Sequence, residues 1–143
     1  MTYLTAPEGV ARTALCACLT GDAALMALVN GVYDGTPGQA VLPFVVLGEG
    51  QSVDWSTKSH EGRELSLAVN VYGRSAGDSI RVSAAVRAAE VAMAAVSGVH
   101  EGWQIVSVRV MRVRMAGSGK LMKAADKGGW SAQMTVRVRM MVV

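Results

Sequence analysis

Two runs near the C-terminus, Val108-Arg109-Val110-Met111-Arg112-Val113-Arg114-Met115 and Thr135-Val136-Arg137-Val138-Arg139-Met140, interleave arginine with apolar residues. A period of two marks a strand with one face toward a core, and it stands the guanidinium groups in rows on a sheet face. In the second run Met134, Val136, Val138, Met140 and Val142 point one way, and Gln133, Thr135, Arg137 and Arg139 the other. In the first the parity slips: Val106, Val108 and Val110 share a face with Arg112 and Arg114, whereas Met111, Val113 and Met115 share one with Arg109. Either a bulge near Val110 resets the register, or helix covers one face of this strand and a neighbouring subunit the other. The two strands are expected over about Trp103–Met115 and Trp130–Val142, joined by Gly117–Gly129.

Working outward, Leu65, Leu67, Val69 and Val71 alternate with Glu64, Ser66, Ala68 and Asn70, a half-buried strand. Ser75 offers a cap for a long helix over about Ala76–Val96, with Val82, Val86, Ala89, Met93 and Val96 as its apolar stripe and Gly98 as its stop. Leu42–Leu47 reads as a strand in which Pro43 is tolerable only at the start or on an edge. The polar stretch from Gly48 to Gly62, which contains Trp55, is either a long hairpin tip or a mobile loop. Toward the N-terminus, Thr5-Ala6-Pro7-Glu8 is a capping box that predicts a helix over about Ala6–Leu19, buried through Val10, Ala14 and Ala17. Asp22 can cap a second short helix carrying Leu25, Leu28 and Val29, and Val32-Tyr33 forms a short extended piece. The pattern is an α+β two-layer fold: an antiparallel sheet of about four to five strands, packed by an N-terminal helix pair and one long central helix, in a single domain over residues 1–143.

Charge divides along the chain. Through Glu101 there are six basic residues against ten acids, net −4, whereas the remainder has eight basic residues against Asp126 alone, net +7. Charged residues make up 17% where roughly 25% is usual. That shortage of polar material points to a subunit interface, and the two-ended charge suits stacking on further copies or facing a polyanion. No apolar run approaches the roughly 18 residues a spanning helix needs, and the N-terminus lacks the pattern of a signal peptide. A soluble protein made in the cytosol, without a membrane partner, is the expectation.

Catalytic signatures are sparse. Cys16 and Cys18 sit two apart in a helical stretch, where their side chains diverge, so they read as small buried thiols. Gly117-Ser118-Gly119-Lys120 resembles the tail of a phosphate-binding loop, but Arg114 stands where a Walker glycine is needed and Leu121 where the Ser or Thr is needed. No nucleophile elbow and no clustered metal ligands are found, so no enzyme activity, no metal and no cofactor are expected. The interface or channel candidates are Arg109, Arg112, Arg114, Arg137 and Arg139, with Trp55, Lys120 and Lys123.

The run from Asp22 to Tyr33, then Leu42–Val46, then Gly62–Gly73, then the alanine-rich helix from Asp78, resembles the tail-completion or tail-terminator proteins of long-tailed bacteriophages and phage-derived gene transfer agents. The likeness extends from the first helix to the last strand. It implies a structural virion protein that caps the head-proximal end of a tail tube as a hexameric ring. Such a ring ends tube polymerisation, joins the tail to the head and lets DNA pass through its lumen without sequence preference. The implied partners are further copies, the tail tube protein and a head–tail connector protein, with assembly in the bacterial cytoplasm and a final place in the virion tail. The longer Gly48–Gly62 and Gly117–Gly129 segments depart from the family pattern and are expected to be mobile until partners order them. Other readings of the same residues are another head–tail joining or minor tail protein, or a nucleic-acid-binding module using its arginine ribbon.

Overall fold

A computed structural model of the protein describes residues 6–75, 77–117 and 129–143. Helix α1 (Pro7–Thr20) begins with proline in its first turn, where the missing N–H leaves no bond unmade. Its N-cap is Ala6 rather than Thr5, and the Glu8 carboxylate, expected to fold back in a capping box, instead accepts a hydrogen bond from Ser52 Oγ. Val10, Ala11, Ala14, Leu15 and Leu19 form its buried stripe, which leaves Ala17 exposed. Helix α2 (Ala23–Met26) is capped as expected, Asp22 Oδ2 accepting from Leu25 N at 2.9 Å. It is shorter than the sequence pattern suggests, and Val29 joins the core from outside it.

Strands β1 (Val32–Asp34), β2 (Phe44–Asp54), β3 (Gly62–Tyr72), β4 (Gly98–His100), β5 (Trp103–Ala116) and β6 (Ser131–Val142) form one sheet in the order β1-β2-β3-β6-β5-β4. Between β3 and β4 lies helix α3 (Ser79–Ala94), which buries Val82, Ala85, Val86, Ala89 and Met93. The six strands exceed the four to five expected, and one pairing, β1 with β2, is parallel. Both central strands alternate as the sequence requires. Leu65, Leu67, Val69 and Val71 of β3 meet Val138, Val136, Met134 and Ala132 of β6, and all eight lie in the main core beneath α1 and α3. Burial of each such large side chain is worth roughly 1.5–3 kcal/mol, so this layer holds the helices to the sheet.

Three expectations change. Gly48–Asp54 is not a loop but the second half of β2, continued across a register shift between Leu47 and Gly50. What remains of the predicted tip is a hairpin end closed by Trp55 N to Gly62 O at 3.0 Å and Thr57 N to His60 O at 2.8 Å. The central helix runs from Ser79 to Ala94, shorter than Ala76–Val96, with Asp78 in place of Ser75 as N-cap. Asp78 Oδ2 holds Arg74 N at 2.6 Å, bracing the turn before the helix. Gly98, at φ 88°, opens β4 instead of only stopping the helix, and Glu101-Gly102, both at positive φ, turn β4 tightly into β5.

Both cysteines are free and half-buried, less enclosed than expected. Burial raises both thiol pKa values, and Cys18 Sγ donates to Ala92 O in α3 at 3.1 Å.

Glycine tolerance tests this packing. A Cβ on Gly62 would sit 2.5 Å from Trp55 O and 3.2 Å from Met140 O, both backbone, whereas one on Gly38 meets nothing within 4 Å. Gly62→Ala is expected to lose about 1–3 kcal/mol of stability in urea titration and Gly38→Ala close to none; equal midpoints would contradict the hairpin geometry.

Candidate functional site

The β5–β6 ladder decides where the arginines go. Its register shifts twice, between Ile105 and Ser107 and between Val110 and Arg112. Val106 and Met111 are thus the inserted residues, at 47% and 52% exposure. Paired side chains share a face, so Ile105, Val108, Val110 and Val113 stand with Met140, Val138, Val136 and Met134 on the helix side. The opposite face takes Arg109 opposite Arg137, Arg112 opposite Thr135, Arg114 opposite Gln133, and Arg139 opposite Ser107. The bulge near Val110 therefore accounts for the parity slip, and a second bulge at Val106 was not foreseen. All five predicted arginines come together on the sheet face away from the helices.

They are not equivalent. Arg139 is anchored: its Nε donates to Glu64 Oε2 at 2.7 Å, and its guanidinium lies 5.1 Å from the Trp55 ring centroid. That cation–π contact joins Trp55, the predicted loop aromatic, to the arginine face. Arg137 is half-buried, with its Nε enclosed and without a hydrogen-bond partner. Arg109, Arg112 and Arg114 are exposed and, among the described residues, form no ion pair. Glu64 is the only acid in β3, β5 and β6. Arg109 thus sits directly opposite Arg137 with no carboxylate within the pair, a like-charge arrangement that destabilises a ladder. Lys120 and Lys123, and the Ser118–Lys120 part of the phosphate-loop likeness, lie outside the described residues.

Elsewhere, two charged residues of α1 are engaged. A cleft of about 180 Å³ between α1 and β2 contains Glu8 and Arg12. Arg12 pairs with Asp34 at 2.6 Å and donates to Leu47 O at 2.9 Å. The Ser52 hydrogen bond lowers the Glu8 pKa against the opposing effect of burial, with Arg63 assisting. No group of three His, Cys, Asp or Glu side chains among the described residues is placed to hold a metal ion. Nor is any described helix long and apolar enough to cross a membrane.

An α+β subunit whose strands β3, β5 and β6 carry, on the face away from the helices, five arginines against one carboxylate has the features of an assembly protein. Residues 13–141 match the family described as Tail completion protein gp17, and the chain belongs to that family. It is a structural protein of the phage-type virion tail. Among solved structures, a chain from "Virion of native gene transfer agent (GTA) particle" superimposes with a TM-score of 0.80 at 24% identity, covering 96% of this chain and 99% of that one, which establishes a shared fold. No curated protein matches the sequence.

Two outcomes follow from this electrostatics. Arg109→Glu turns the Arg109–Arg137 repulsion into attraction and is expected to stabilise the isolated subunit by a few tenths to about 1 kcal/mol, most at low salt; an unchanged or lower urea midpoint would refute the pairing. Because the folded pKa of Glu8 is depressed, its contribution is present above the unfolded-state value and is lost as pH falls through the folded one. The difference in unfolding midpoint between Ser52→Ala and the parent should therefore shrink in acid, as read from urea titrations at neutral and strongly acidic pH.

Proposed function

We propose that the protein closes the head-proximal end of a tail tube as a homo-oligomeric ring, ending tube polymerisation and forming the joint to the head. The whole chain acts as one tail-terminator-like domain. Family membership supports the tail setting. The observation that carries the reading further is the set of unscreened arginines on one uncovered sheet face. A monomer gains nothing from lining up like charges across a ladder, whereas a subunit that docks against an acidic surface gains complementarity and a fixed register. The partners are further copies, the tube protein and the connector protein, and no catalytic step is assigned.

A second reading for the same residues is a lumen wall along which DNA passes, favoured by the exposure of Arg109, Arg112 and Arg114. Contacts to phosphate of that kind weaken steeply with salt. Intersubunit pairing is the better reading, since a wall that grips phosphate tightly would slow DNA exit. Arg137 and Arg139 are poor probes, because one is half-buried and the other is tied to Glu64 and Trp55. Arg112 and Arg114 are exposed and can be reversed with little cost to the fold.

Particles produced without the protein are expected to show tails of uncontrolled length or tails detached from heads in negative-stain images; tails of normal length joined to heads would overturn the proposal. In particles carrying Arg112→Glu with Arg114→Glu, loss of the terminal ring is expected. An intact ring with altered DNA delivery would support the lumen wall instead.

A further inference from the structure

The sheet has two stepped edges, and the steps are complementary. Two levels can be distinguished along the strands. The tip level holds the β2–β3 hairpin end, where Asp54 pairs Arg63, and the start of β5, where Trp103 pairs Val142. The base level holds Phe44 opposite Tyr72 and Ala116 opposite Ser131. Strand β4 covers β5 only at the tip level, through Trp103, Gln104 and Ile105. Strand β1 covers β2 only at the base level, through Val45, Val46 and Leu47. Among the described residues, the base half of β5 (Ser107–Ala116) and the tip half of β2 (Gly48–Asp54) are each paired on one side only.

Each level therefore has five strands: β2, β3, β6, β5 and β4 at the tip, and β1, β2, β3, β6 and β5 at the base. A second copy set beside the first without axial offset would fit its protruding β1 against the free half of β5, and its free half of β2 against the protruding β4. Strand directions permit this. Since β1, β2, β6 and β4 run one way and β3 and β5 the other, a copy rotated about an axis along the strands pairs its β1 antiparallel to β5 and its β2 parallel to β4.

Beside the step, β5 presents Arg109, Arg112 and Arg114 and no acid on the face away from the helices, whereas Asp34 of β1, opposite Leu47, stands on the helix face and is paired with Arg12. The apolar surface agrees with the fit of the edges: Val53 on β2 and Val99 on β4 are 49% and 58% exposed, lie at the tip level, and share the arginine face through their pairs Glu64 and Gln104. Left alone, two free strand halves with unpaired backbone groups invite uncontrolled pairing.

We propose that neighbouring copies join by interlocking these stepped edges, so that the sheet continues from subunit to subunit, with β1 of one copy beside the arginine-bearing half of β5 of the next. This rests on the ring proposed above, and it names the surface that builds it. The contact is head-to-tail, using two different edges, and such a contact closes into a ring when its rotation permits.

The test is cross-linking in assembled particles. Val53→Cys with Val99→Cys would be treated with a short bis-maleimide that spans two residues of strand, roughly 7 Å, with each single variant as control for the native Cys16 and Cys18. A ladder of covalent oligomers from the double variant, absent from both single variants, is the expected result. A symmetric terminal ring seen in images of the same particles with no ladder would overturn the edge contact while leaving the ring intact. Particles with no ring at all would overturn the ring itself. Because both substitutions fall on exposed positions, circular dichroism of the free variants is expected to match the parent.

Discussion

The register of β5 against β6 is the constraint on which the rest of the molecule depends. Were Met111 paired in regular register instead of bulged, Arg112 and Arg114 would continue the parity of Val108 and Val110 and turn to the helix side. There the two guanidinium groups would take the partly covered places of Val113 and Met115, beside buried Met134 and Ala132, with no acid in β3, β5 or β6 on that side to receive them. Such burial costs far more than the small penalty of a bulge. The insertion lets one strand serve an apolar core along its helix side and a basic surface along the other.

What results is a subunit that tolerates electrostatic stress on one face. Only Arg139 is neutralised, by Glu64, and it is held further by the Trp55 ring. Arg137 lies between Ser66 and Arg109 in the neighbouring strands, and the remaining arginines of β5 face outward unpaired among the described residues. Isolated stability and assembly thus pull in opposite directions at the same residues. The hydrophobic layer made by β3, β6 and α3 is large enough to carry that stress, which would be relieved when an acidic surface arrives.

Much of this was legible in the sequence because the central strands obey simple periods. β3 and β6 are paired on both sides and alternate strictly, so Leu65–Val71 and Met134–Val142 could be read from their pattern. The α3 stripe likewise follows the helical period. Peripheral strands were harder. The second half of β2, Gly48-Glu49-Gly50-Gln51-Ser52-Val53-Asp54, is exposed at most positions and broken by a register shift, so its composition is that of a loop. β4 has only three residues and is defined by its pairing with β5, and β1 is fixed by β2 rather than by its own pattern. The arginine rows were visible as rows, and the bulge near Val110 was one of two readings of the parity. The Glu64–Arg139 pair joins residues 75 positions apart, and no local pattern announces it. The complementary steps of the two edges become visible only once strand order and pairing extents are known.

Arginine-selective modification with phenylglyoxal, mapped by mass spectrometry on free protein and on assembled particles, tests the central claim most directly. The account predicts that Arg109, Arg112 and Arg114 react readily in the free subunit and are protected in particles, while Arg81 and Arg87 on α3 change little. Equal reactivity of the three β5 arginines in the two states would contradict it.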